Sequence, residues 1–373
     1  MRYFLSREEE IQHYPNENVD ISVREKHRPT IKSLESTGTT HYTELKISIP
    51  LIFHQIYKNS SLPAAYLPSF RSIIANHRLK GKDNENINLS DNLNKHLPGF
   101  KYMFWSDDNI NNFVHKKLED GDNMYNVLFK YNHSLEKADA IRYFILYEFG
   151  GIYLDFDVEF FGSILPYLNR GYPCMMTRES PELTYLYGNV ETVVSNALMM
   201  CRPGHPFMRL VIESLPEFMK LKLNVIWTTG PFFLTEIYNR YRAKMSSTDK
   251  EIANLCARDA TLHPNCVHVE DESVFEDNQY LHLQHIKRMC LGDISTKPVS
   301  IQKRCRDMIA RLKTYGSMVR RGLPPQRLGI HHHLNLGHKN GGLASSASDF
   351  DFRLGIEGYW EVNKENKMHY IKV

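Results

Sequence analysis

No stretch of this chain approaches the ~18 consecutive apolar residues that a membrane-crossing helix needs. The opening MRYFLSREEE is too poor in apolar residues for a signal peptide. The chain is therefore expected not to cross a membrane by itself, although it can lie on one. Charge of one sign is also scarce. A formal net charge of +3 implies no nucleic-acid partner. No Cys-x-x-Cys pair occurs among Cys174, Cys201, Cys256, Cys266, Cys290 and Cys305. Zinc-site spacing is thus absent, and a disulfide framework is neither required nor excluded. Sequons at Asn59, Asn88 and Asn132 are about what chance provides in so Asn-rich a chain, and they carry no weight here. Internal repeats and low-complexity segments are absent as well.

What is present is the material of a globular enzyme. The chain has 373 residues, 42% of them hydrophobic and 12% aromatic. A prior of about 100–200 residues per domain allows two or three domains, but large α/β enzymes often exceed it. Residues 1–45 are polar without a sustained period and read as a loose arm. Structure begins at KISIPLIFHQIY (46–57), a strand closed by the turn residues KNSSLP. GFKYMFWSDDNI (99–110) is a second strand, with Ser106 and Asp107 as helix-entry residues. SLEKADAIRYFILYEFGG (134–151) has helical spacing from Leu135 to Phe149, a capping Ser134 and a stop at Gly150. VVSNALMMCRP, HPFMRLVIESLPEFMKLKL and TTGPFFLTEIYNRY then read as strand, helix and helix. Such alternation predicts an α/β fold with a largely parallel sheet. One catalytic domain is expected over 46–345, followed by a tail over 346–373.

The chemistry concentrates in GGIYLDFDVEFF (150–161). Read as one strand, it points Ile152, Leu154, Phe156 and Val158 one way and Tyr153, Asp155, Asp157 and Glu159 the other. Two carboxylates on one face repel, and a divalent cation turns that repulsion into binding energy; hard oxygen ligands suit Mg²⁺ or Mn²⁺. The bland alternative is an edge strand with solvated acids. Against it stands the helix just upstream, where Asp139 and Arg142 share one face at i, i+3. That pair taken alone is more often a structural salt bridge.

KADAIRYFILYEFGGIYLDFDVEFF resembles the sugar-binding region of glycosyltransferases with a DXD motif, specifically glycosyltransferase family 32. IPLIFHQIYK, FKYMFWSDDN, VVSNALMMCRPGHPF and TTGPFFLT follow in that family's order, so the resemblance covers roughly 47–237. The last two segments are most similar to its inositol phosphorylceramide mannosyltransferase branch. The resemblance implies a GT-A fold, a nucleotide-sugar donor and retention of anomeric configuration. It implies Asp155 and Asp157 as ligands of the metal that grips the donor diphosphate, and Asp139 and Arg142 as contacts to donor sugar and phosphate. Tyr57 stands where the family has Trp, a position suited to stacking on the base. The donor implied by the branch is GDP-mannose, with a lipid head group or glycan as acceptor. Golgi or endomembrane association comes with the family, which mostly carries an anchor that this chain does not show.

GIHHHLNLGHKNGG (329–342) is loop-like and can supply a third ligand and a phosphate-cradling turn. The family's late His followed by a Gly-containing loop implies His333 as ligand, with His332 the next candidate and Lys339 reaching the diphosphate. The family's Gly-Ser-Trp after that His is missing here. A solvated His tract is the alternative. Asn196 matches a family position near sugar and acceptor, or else ends a strand in a turn. Thr229 and Gly230 precede Pro231 at a helix start, where an ordinary cap is expected before an anion site. His54 reads as a hydrogen-bonded core histidine.

KPVSIQKRCRDMIARLKTYGSMVRRG (297–322) carries eight Lys or Arg residues against one acid, with an apolar stripe from Ile301 to Val319. It reads either as a basic amphipathic helix that touches an anionic membrane or as a core-packed helix with a solvated face. The reading that unites these features is a metal-dependent, retaining hexosyltransferase. A UDP-dependent galactosyl or N-acetylglucosaminyl transferase, a paired-carboxylate glycoside hydrolase and a non-catalytic sugar- or membrane-binding module stand as alternatives.

Overall fold

A computed structural model describes residues 48–79, 99–179, 192–270, 274–277, 328–332, 349–356, 358–363 and 365–372. It also describes positions 290, 294, 295, 299, 302, 303, 305, 306 and 310. The arm expected over 1–45 lies outside them. The first half of the chain runs β1 (Ile52–Ile56), β2 (Ser61–Leu62), α1 (Leu67–Asn76), β3 (Lys101–Trp105) and α2 (Asp107–Glu119). A 3₁₀ segment (Asn123–Lys130) leads into α3 (Ser134–Phe149), β4 (Gly151–Leu154) and β5 (Val158–Phe160). Next come α4 (Leu165–Leu168), β6 (Cys174–Arg178), β7 (Val194–Cys201), α5 (Pro206–Lys220), α6 (Val225–Thr228), α7 (Pro231–Thr248) and α8 (Lys250–Arg258). Four short strands and one longer pair close the chain: β8 (His268–Val269), β9 (Phe275–Asp277), β10 (Gly329–His331), β11 (Phe350–Asp351), β12 (Gly358–Val362) and β13 (Met368–Lys372).

Among the described residues the main sheet orders β13-β12-β3-β1-β4-β7-β6-β8. Its centre is parallel: β1 pairs in parallel with both β3 and β4, and β12 with β3. Beyond β4 the direction alternates, because β7 runs antiparallel to both β4 and β6. This is the helix-flanked, mostly parallel α/β sheet that the sequence predicts. The chain leaves β1 over one face through α1, reaches β3, and returns over the other face through α2 and α3 to β4. The direction of winding thus reverses at β1, and crevices at such switch points, beyond the carboxyl ends of strands, are where α/β sheets bind ligands.

Local chemistry explains the elements. Ser106 caps α2 by accepting from the Asn109 amide, while the Asn109 side chain accepts from Ser106. Gly150 ends α3 at φ 60°, and a Cβ there would lie 2.6 Å from Pro203 Cδ. Both faces of β4 are covered: Ile152 and Leu154 pack with Phe53, Tyr102 and Phe104, and Tyr153 with Trp105, Tyr143 and Phe144.

Two expectations about elements are corrected. The run 152–160 is not one strand. It breaks after Leu154 into a turn closed by Val158 N–H donating to Asp155 O at 3.2 Å, and β5 joins a second sheet with β10 and β9. Alternation therefore holds for Ile152 and Leu154 but does not extend through the acids. The expected tail over 346–373 instead supplies β12 and β13, an antiparallel pair on the edge of the main sheet. Asn366, in the left-handed region at φ 57°, turns that hairpin.

Candidate active site

The turn after β4 builds the acidic site. Asp155 and Asp157 flank Phe156, which is buried and packs at ring-centroid distances of 6.0, 5.7 and 6.3 Å from Tyr57, Tyr66 and Phe104. The residue between the two acids is thus an anchor that fixes the turn. On the other side, β10 pairs antiparallel with β5 and sets His331 against Val158. Ligand atoms of Asp155, Asp157 and His331 lie within 4.8 Å of one another, the one group of this kind among the described residues. His331 Nε2 is 3.3 Å from Asp157 Oδ1, and His332 Nε2 is 2.7 Å from Glu159 Oε2.

That donor set fits a divalent cation. Two carboxylates at this separation repel by about 1–3 kcal/mol at effective dielectrics of about 20–80, and two hard oxygens with one imidazole nitrogen make an open site. Among the described residues it is His331 that joins the two acids; the expected His333 and Lys339 lie outside them. His332 faces Glu159 instead. The register of β10 decides this, and no spacing within HHH could.

Behind the acids lies a buried polar network on α3, β4 and β7. Arg142 Nη2 sits 2.9 Å from Asp139 Oδ1, and its Nη1 donates to the Asn196 carbonyl at 2.8 Å and lies 3.2 Å from Asp155 Oδ1. Its guanidinium carbon is 4.6 Å from the Tyr153 ring centroid, and the Tyr153 hydroxyl donates to Asp155 at 2.6 Å. Asp139 also accepts from Asn196 Nδ2 at 3.1 Å and Thr229 Oγ1 at 3.2 Å. Burial pushes Asp139 from 3.8 up to about 6, with Arg142 pulling against that rise and Asp155 adding to it. Burial opposes the charge of Arg142, but Asp155, Tyr153 and Asp139 outweigh it and raise its pKa further. It stays a cation at every pH of interest.

Asp139, Arg142, Asp155, Asp157 and Asn196 therefore meet in one place. Asn196 lies mid-strand in β7 and does not end it. Thr229 and Gly230 are helix caps, as expected: Thr229 closes α6 and Gly230 opens α7, while Thr229 is buried and its carbonyl accepts from the Tyr143 hydroxyl at 2.6 Å. Tyr57 stands at the carboxyl end of β1, 6.0 Å from Tyr66 in an edge-to-face contact. His54 is buried as expected, accepting from Trp105 Nε1 at 3.1 Å and contacting Gly150 O at 2.9 Å, with its pKa lowered by burial to about 4. Sequence reasoning missed His331, Tyr143 and Tyr66, and it named Tyr153 and Thr229 without seeing their bonds to Asp155 and Asp139. Tyr153 alone had a local signal, two residues before Asp155 on an alternating strand.

Of the basic stretch 297–322, positions 299, 302, 303, 305, 306 and 310 are described and helical, with Cys305 buried and Lys303 and Arg306 exposed. No described helix is long and apolar enough to cross a membrane.

Comparison with known proteins adds to this geometry. Inositol phosphoceramide mannosyltransferase 3 of Schizosaccharomyces pombe is 30% identical over 205 residues, 54% of this chain and 48% of that protein. Mannosyl phosphorylinositol ceramide synthase CSH1 of Saccharomyces cerevisiae is 27% identical over 233 residues, 61% of this chain and 53% of that protein. The chain thus spans about half the length of these curated relatives. The solved structure of PaToxG Glycosyltransferase aligns with a TM-score of 0.33 and 12% identity over 58% of this chain and 80% of that one, too remote to carry an argument. Residues 83–174, which include Asp139, Arg142, Asp155 and Asp157, match the family described as "Glycosyltransferase sugar-binding region containing DXD motif".

Proposed function

We propose that this chain is a metal-dependent, retaining glycosyltransferase that moves mannose from GDP-mannose to a hydroxyl of a lipid head group or glycan. The observation that carries the reading is the convergence of Asp155, Asp157 and His331 on one point beside the Arg142–Asp139 pair, at the switch point of the sheet. Mn²⁺ suits two carboxylates and an imidazole better than Mg²⁺, which favours an all-oxygen shell. When bound, such an ion supplies Lewis-acid stabilisation of the charge that develops on a departing nucleoside diphosphate.

The chain's own groups do the rest. Arg142 is a fixed cation held by Asp139, Asp155 and the Asn196 carbonyl, so it needs no reorganisation as phosphate charge builds up beside it. Asp139 has about four acceptor directions, and Arg142, Asn196 and Thr229 occupy three. The fourth is available for a donor-sugar hydroxyl. Tyr57 at the end of β1 offers a ring face to the base. No general acid is required, because a diphosphate leaves as an anion. The paired-carboxylate hydrolase is disfavoured, because Arg142 and His331 beside the acids have no part in it.

The names of the relatives support mannose and an inositol-phosphoceramide acceptor, and therefore an endomembrane location. The exposed Lys303 and Arg306 support contact with an anionic membrane through 297–322. The test is nucleotide release with Mn²⁺ from GDP-mannose, UDP-galactose and UDP-N-acetylglucosamine, which needs no acceptor. Release of GDP, abolished by EDTA and restored by Mn²⁺, is expected. Release of UDP would move the chain to the galactosyl or N-acetylglucosaminyl alternative, and hydrolysis indifferent to EDTA would remove the metal.

A further inference from the structure

All six cysteines are bonded in pairs: Cys174–Cys201 across neighbouring strands β6 and β7, Cys256–Cys266 from α8 to the segment before β8, and Cys290–Cys305. Bridges of this kind persist in oxidising compartments such as the secretory lumen and are rare where thiols are kept reduced. A chain that matures there also meets the machinery that glycosylates Asn-x-Ser/Thr. A sequon means little by itself, since many are generated by chance. What a usable one needs in a folded enzyme is room for a bulky, hydrated group on the Asn and an accessible hydroxyl two residues on.

Two sequons meet that condition. Asn132 and Ser134 are both exposed, in the turn that leads into α3. Asn59, in the turn after β1, and Ser61, the first residue of β2, are both exposed; Asn59 Oδ1 accepts from the Ser61 amide at 3.0 Å, so the side chain is held by its oxygen and not by its nitrogen, and the Ser61 hydroxyl makes a long 3.5 Å contact to Asp349. Asn88 lies outside the described residues. We propose that Asn132 and Asn59 are N-glycosylation acceptors and that the chain is a lumenal glycoprotein. The co-reactant is a lipid-diphosphate-linked oligosaccharide. The Asn Nδ2 gives up a proton and bonds to the anomeric carbon of the first sugar. The bond from that carbon to the diphosphate breaks, and the lipid diphosphate leaves with the electron pair.

The two sites differ in their surroundings. Asn132 precedes the first turn of α3, clear of Asp139 and Arg142 further along it. Asn59 follows Tyr57 by two residues, so a glycan there crowds the entrance to the base site. Full occupancy is expected at Asn132 and partial occupancy at Asn59.

The test uses the protein made from its complete gene in a eukaryotic host. It is digested with peptide-N-glycosidase in heavy-oxygen water and mapped without reduction. Labelled Asp at 132 and 59 together with three bridged peptides is the expected result. Asn132→Gln and Ser134→Ala should each remove the same step in gel mobility while leaving nucleotide release unchanged. An unmodified Asn132 in protein whose cysteines are bridged would overturn the glycosylation. Six reduced cysteines would overturn the compartment on which it rests. Neither result bears on donor chemistry, so this proposal fails or stands apart from the transferase reading.

Discussion

Replacing Arg142 with Ala is the perturbation whose size the structure fixes best. Arg142 is 6% exposed, and its guanidinium sits between Asp139 and Asp155 at 2.9 and 3.2 Å. Removing it leaves two partly buried carboxylates facing each other without a cation, and breaking a buried pair in this way costs about 3–5 kcal/mol. Domains of 150–250 residues lose about 2–4 °C per kcal/mol, and longer ones somewhat less, so the melting temperature should fall by about 5–10 °C. The loss must also depend on pH. The rise of Asp139 from 3.8 to about 6 means that its ionised form works against the fold by about 3 kcal/mol. Because the folded value is raised, that penalty is full above pH 6 and vanishes below 3.8. Without Arg142, which lowers the Asp139 pKa, the penalty grows and the protonated form extends to higher pH. The gap between wild type and Arg142→Ala should therefore be widest at about pH 8 and clearly narrower at about pH 5. Thermal unfolding at both pH values, with Arg142→Lys as a charge-preserving control, reads this directly. A gap under about 2 °C at pH 8, or one equal at both pH values, would refute the reasoning.

Gly150→Ala should destabilise by about 1–3 kcal/mol, since φ 60° and a contact of 2.6 Å to Pro203 oppose a side chain, and chemical denaturation measures it. Tyr57→Ala should raise the KM for the nucleotide sugar about tenfold with little change in kcat, because stacking on a base is worth about 1–3 kcal/mol and acts equally on ground and transition states. Charge reversal at Lys303, Arg304 and Arg306 should weaken sedimentation with anionic liposomes by several-fold or more, and unchanged binding would remove the membrane contact.

The sheet, most helices and the acids were legible in the sequence because each has a local cause. Ser106 and Gly150 mark helix ends by their own chemistry, and Ile152 and Leu154 show a face by alternation. Asp139 and Arg142 are neighbours on one helix turn. What stayed hidden depends on long-range register. His331 reaches Asp157 only because β10 pairs with β5 across 170 residues of chain, and HHH offers no local reason to choose among its members. Thr229 meets Asp139 from the junction of α6 and α7, far along the chain, and Asn196 shows as polar without showing that it faces inward. The turn at Asp155–Val158 was missed because its residues are apolar and acidic, with neither Gly nor Pro to signal it. The hairpin over 358–372 reads as tail in the sequence because its Asn-rich turn sits in an otherwise charged stretch.

The turn after β4 and the end of β10 are expected to make one cation site. Isothermal titration of Mn²⁺ into the GDP-saturated protein tests it most directly. One site is expected in wild type, weakened at least tenfold, or about 1.4 kcal/mol, by Asp157→Ala or His331→Ala and untouched by His332→Ala. Absence of any Mn²⁺ heat in the wild-type protein, or loss through His332 with none through His331, would contradict it.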